Sequence, residues 1–96
     1  MISKKSPGNV FKDIGFGREE AENLRIRAFL MAEIEQYIKR EKISQSTAAK
    51  IFGVTQPRIS DLISGKIELF SVDILIEMLS KAGMKLRIHV IRAKAA

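Results

Sequence analysis

The chain has 96 residues, enough for one domain with a modest core, and it lacks both a membrane-spanning apolar run and a signal-peptide pattern. Zero cysteines exclude disulfides and thiolate metal sites and fit the reducing cytoplasm. Net charge is +6, and residues 42–96 hold 9 Lys/Arg against 4 Asp/Glu, which suits a polyanion such as nucleic acid.

Residues 1–17 form an N-terminal segment whose first ~8 residues we expect to be disordered. The rest of this segment is too apolar for a free tail, with Val10, Phe11, Ile14 and Phe16. We expect these side chains to pack on the body of the domain or, alternatively, to dock onto another protein.

A long helix is predicted over residues 18–41. Its apolar residues recur at the helical period, which indicates one buried stripe: Ile26, Leu30, Ile34, Tyr37 and Ile38. Glutamates begin the helix and basic residues end it, as the helix dipole favours. Phe29 lies off the stripe, so we expect either the N-terminal segment or a second subunit to cover it.

The residue pattern of 45–65 predicts two short helices joined by a tight turn. Ser44 is placed to cap the first helix, which ends near Phe52, and Gly53 allows the chain to reverse. Thr55 is placed to cap the second helix, and Pro57 falls in its first turn, where a missing N–H does no harm.

The two faces of this helix pair differ in chemistry. The inward face is apolar: Ala48, Ala49, Phe52, Val54, Ile59, Leu62 and Ile63. The outward face of the second helix is polar, with Arg58 on its flank: Gln56, Pro57, Ser60, Asp61 and Ser64. This pattern predicts a helix-turn-helix with its second helix in the DNA major groove. The alternative is a helical hairpin used only for packing.

A last helix is predicted over residues 72–82, capped by Ser71 and ended by Gly83. Residues 18–83 therefore form the helical domain, and residues 84–96 form a C-terminal strand and tail.

Within this C-terminal part the period changes to two, which predicts a β-strand with three apolar residues on one face: Leu86, Ile88 and Val90. A strand needs a mate, so we predict antiparallel pairing across a two-fold homodimer. The alternative mates are a strand near Val10 and the edge of another protein.

Several side chains are candidates for DNA contact. Gln56 can pair with adenine, while Arg58 can read guanine or clamp a phosphate. Lys66 is a further phosphate candidate. Other hydroxyl, amide and ring groups complete the predicted DNA-binding set: Gln45, Ser46, Thr55, Pro57 and Ser60.

Enzyme and metal chemistry find no support in the sequence. His89 is the sole histidine, so a metal site is not expected. No nucleophile–base pair, P-loop or carboxylate pair occurs, and we expect no catalytic activity and no cofactor.

Residues 45–65 resemble the XRE (Cro/C1-type) helix-turn-helix family. Residues 8–92 as a whole look like the HigA-like antitoxins of type II toxin–antitoxin pairs. This narrower resemblance is carried by the stretches GNVFKDIGF (residues 8–16) and GKIELFS (residues 65–71) and by the basic end of the chain. The resemblance implies a lambda-repressor-like bundle of about five helices. It also implies a dimer that represses its own operon at a palindromic operator and neutralises a RelE-like, mRNA-cleaving toxin. The alternatives are a phage-type repressor without a toxin and a protein-interaction module that never touches DNA.

Overall fold

The computed structural model describes residues 17–92, and this part of the chain is mainly helical, as predicted. Its elements are the helices α1 (Arg18–Glu41), α2 (Gln45–Phe52), α3 (Gln56–Ile63) and α4 (Val72–Lys81), with a single 3₁₀ turn (Ile67–Leu69) between α3 and α4. Between residues 17 and 92 there are thus four α-helices, where the resemblance implied about five. The prediction for Val10, Phe11, Ile14 and Phe16 lies outside the described residues.

The core forms where α1 and α4 pack together with the α2–α3 pair. The predicted stripe of α1 is confirmed at Leu30, Ile34 and Ile38, which are buried. Phe52 of α2 has no exposed surface and meets the ring of Tyr37 edge-on at 5.6 Å between centroids. Such a core stabilises mainly by removing apolar surface from water. No helix in the described range is long and apolar enough to cross a membrane.

Side-chain caps define the starts of two of the four described helices, α2 and α4. The Ser44 hydroxyl accepts a hydrogen bond from the Thr47 N–H at 3.1 Å, and the Ser71 hydroxyl accepts one from the Ile74 N–H at 3.2 Å. The predicted N-cap of α3 is confirmed in position. Thr55 occupies the N-cap position with an extended backbone, but its side chain makes no capping hydrogen bond. Only its carbonyl takes part, accepting from the backbone N–H of Arg58 at 3.1 Å and of Ile59 at 3.2 Å.

The predicted C-terminal strand has no ladder in this single chain. From Met84 to Arg92 the backbone carries no regular secondary structure. Leu86 packs partly against the core, whereas Ile88 and Val90 are 74% and 86% exposed. A strand is defined by its hydrogen-bonded neighbour, and the described helical body offers it no strand edge. Pairing with a second copy therefore stays a prediction.

Phe29 is another exposed apolar side chain, with 59% of its surface accessible on α1. It points away from the buried stripe, as its position in the sequence predicts. Neither of the covers predicted for it, the N-terminal segment or a second subunit, lies within the described single chain.

Candidate nucleic-acid interface

Helix α3 turns an apolar face inward and a polar face outward. Ile59 and Leu62 are 0% and 1% exposed. The opposite face holds exposed residues, which we call the outward ridge: Gln56, Pro57, Ser60 and Ser64. Because both anchors of α3 are fully packed, the outward ridge is held in a defined orientation on the surface.

Asp61 differs from the outward ridge, although the sequence placed it there. It is half-buried, and its Oδ1 lies 3.5 Å from the Nζ of Lys66, just beyond the end of α3. This pair partly neutralises Lys66, which is about half exposed. Surface pairs of this kind are weak, so Lys66 can exchange Asp61 for another anion.

A residue from α4 lies beside the corner between α2 and α3. Gly53 has φ +71°, a conformation that L side chains rarely adopt. A Cβ at this position would lie 2.5 Å from Cδ of Lys81. The glycine therefore provides both the turn and the space in which the Lys81 stem lies.

Arg58 occupies the flank of α3 and contacts the ring of Phe70. This contact was not predicted from the sequence. The Arg58 Cζ lies 5.0 Å from the centroid of Phe70, which has no exposed surface. This distance is within the range of a cation–π interaction. Among residues 17–92, no hydrogen bond or ion pair engages the Arg58 guanidinium. The residues are 12 positions apart, and no local pattern predicts their contact.

The start of α2 presents small polar groups. Ser46 is exposed and Gln45 is half-buried. The Ser44 hydroxyl lies 3.1 Å from Oγ1 of Thr47 and 3.5 Å from the hydroxyl of Ser46. Backbone N–H groups and hydroxyls at a helix start are suited to an anion such as phosphate.

Metal chemistry gains no support from the described part of the chain. It contains no group of three or more His, Cys, Asp or Glu side chains that could hold a metal ion.

Comparison with known proteins decides the family. A family model described as a helix-turn-helix domain matches residues 10–91. A solved structure whose name assigns it to the XRE family of transcriptional regulators is 35% identical, with a TM-score of 0.68, covering 78% of this chain and 83% of that one. This chain belongs to the XRE-type helix-turn-helix family. No functionally curated protein matches it.

Membership in this family of transcriptional regulators implies DNA as a partner and agrees with the polar outward ridge of α3. The XRE assignment made from the sequence is therefore confirmed. The narrower resemblance to HigA-like antitoxins stays a prediction, as do the roles of the individual side chains.

Proposed function

We propose that this chain is a sequence-specific repressor that places α3 in the major groove of duplex DNA. The observation that carries the proposal is the contrast across α3, where Ile59 and Leu62 are buried while Gln56 and Ser60 are exposed. A rigid helix with short polar groups outward can approach base edges without burying an unpaired charge.

Each part of the surface has its own role in this proposal. Gln56, the first residue of α3, pairs with adenine through its amide, and the ring of Pro57 meets a thymine methyl group beside it. Thr55 and Ser60 bond bases or phosphates. Lys66 and the start of α2 are among the groups that contact the DNA backbone. Such contacts fix the register but carry no sequence information.

A selection experiment tests sequence-specific binding. Duplexes enriched by the wild-type chain from a random library serve as the operator, and a shuffled duplex serves as the reference. We expect Gln56→Ala to weaken binding to the selected duplex, relative to the shuffled one, by ~1–3 kcal/mol. Gln36→Ala is the matched control, because Gln36 is also exposed but lies on α1. Unchanged discrimination in Gln56→Ala would refute the assigned reading residue.

The repressor acts as a two-fold dimer in this proposal, through antiparallel pairing of residues Leu86, Ile88 and Val90. The exposure of Ile88 and Val90 supports it, since neighbouring exposed apolar side chains that form a patch mark interaction surfaces. Sedimentation of Ile88→Lys should give monomers. His89→Lys adds the same charge at the neighbouring position, which alternates to the other face of a strand, and should remain dimeric. A dimeric Ile88→Lys would dismiss strand pairing.

The same protein serves as the antitoxin of a type II pair in the cytoplasm, without catalytic activity of its own. Support comes from the resemblance of residues 8–92 to HigA-like antitoxins. The partner would be a RelE-like, mRNA-cleaving toxin. We expect a short reading frame for a basic protein next to this gene. Expression of that protein should arrest growth, and co-expression of this chain should relieve the arrest. A neighbouring frame without toxicity would favour the phage-type repressor.

A further inference from the structure

Phe70 forms a buried platform under the side chain of Arg58. The ring has no exposed surface, and the Arg58 Cζ lies 5.0 Å above its centroid. Arg58 is itself half-buried, so the guanidinium is drawn back against the body instead of extending along the outward ridge.

The segment that carries Phe70 is fixed by one hydrogen bond from α1 and by two within its own turn. The Phe70 N–H donates to the Ile67 carbonyl at 3.2 Å, and the same carbonyl accepts from Nη1 of Arg27 on α1 at 3.2 Å. The Leu69 N–H donates to the Lys66 carbonyl at 3.0 Å. The segment after α3 is therefore held to α1 by Arg27 and is closed on itself by its own turn, and the Phe70 ring is fully buried. A ring fixed in this way gives the Arg58 side chain a defined surface to pack on.

Arg58 keeps its hydrogen-bonding capacity in this position. Lys66, the other basic residue near α3, lies 3.5 Å from a carboxylate oxygen of Asp61, whereas no acceptor from the described residues engages Arg58. A guanidinium held over a ring by a cation–π contact can still donate its N–H groups to a phosphate. Holding the long side chain in advance also reduces the entropy lost when it binds.

We propose that Phe70 is a positioning residue for DNA binding, which holds Arg58 to clamp a backbone phosphate. The choice of phosphate over a base edge follows from the flank position and from the contact with the body. This inference rests on the proposed function, because it specifies one contact of the same interface.

A double-mutant cycle tests the coupling between the two residues. Affinity for the selected and shuffled duplexes is measured for Phe70→Leu, Arg58→Ala and the double variant. We expect Arg58→Ala to weaken both duplexes by about tenfold and Phe70→Leu to weaken both by about threefold to tenfold. In the Arg58→Ala background, Phe70→Leu should have no further effect.

The salt dependence separates positioning from a purely structural role. Arg58→Ala should reduce the slope of log K against log salt by about 1, because one fewer phosphate is neutralised. Phe70→Leu keeps the charge, so the affinity should fall while the slope stays near the wild-type value.

Phe52→Leu is the matched control for the cycle. Phe52 is equally buried but packs on Tyr37, so the effect of its replacement should be the same with and without Arg58. If Phe70→Leu weakens DNA binding equally in the wild-type and Arg58→Ala backgrounds, the positioning role is overturned. A wild-type chain that binds no duplex would instead overturn the proposed function, and this inference with it.

A measurement on the wild-type chain keeps the inference testable if Phe70→Leu fails to fold. The δ-methylene protons of Arg58 should be shifted upfield by the Phe70 ring in the free protein and remain so in the DNA complex. Random-coil shifts in either state would overturn the proposal.

Discussion

Replacing Gly53 with alanine should separate two contributions to the geometry of the helix-turn-helix. The first is backbone strain. Gly53 has φ +71°, in the left-handed region, where a residue with a Cβ loses about 1–2 kcal/mol of stability. The second is space, because that Cβ would lie 2.5 Å from Lys81 Cδ. The lysine stem is flexible, so displacing it should add about 1 kcal/mol, the low end for overpacking.

Gly65 provides the matched control, because it has φ +77° and a Cβ added there would meet nothing within 4 Å. Chemical denaturation should give a loss of about 1–2 kcal/mol for Gly65→Ala. Gly53→Ala should lose about 1 kcal/mol more. In the Lys81→Ala background the two glycine variants should become equal. Equal losses in the wild-type background, or an excess that survives Lys81→Ala, would refute the role given to Lys81.

Four further variants have expected outcomes. Ser44→Ala should lower the free energy of unfolding by ~1 kcal/mol. Thr55→Ala should lower it less, because its side chain makes no cap; equal losses by denaturation would contradict this. Lys66→Ala should weaken selected and shuffled duplexes alike and reduce the salt slope by about 1, and a sequence-dependent loss would argue against a phosphate contact. The hydrogen bond from Arg25 lowers the pKa of the exposed Glu22 below its usual 4.5, so this pair stabilises above pH 4.5 and less as the pH falls through the lowered pKa. Glu22→Gln should therefore remove a small acid-sensitive part of the stability, and an unchanged pH profile would show that solvent screens the pair fully.

Local chemistry accounts for what could be predicted about the fold. The boundaries of α2 follow from the Ser44 cap and the turn at Gly53, and both depend on residues within one helical turn. The apolar stripe of α1 follows from its period, because a helix brings every third or fourth side chain to one face. The same period identified the outward ridge of α3, including Gln56 and Ser60.

The contact partners of the site depend on the tertiary structure. Arg58 meets Phe70 and Gly53 meets Lys81 only because packing brings segments together that are 12 and 28 residues apart. No periodic pattern encodes such contacts, since each depends on how the helices and the segments between them pack in the folded domain. The alternation at Leu86 to Val90 shows that a sequence period alone does not determine whether a strand forms. Its period favours a strand, but a strand's hydrogen bonds require a neighbour that the described chain does not supply, so the backbone there forms no ladder.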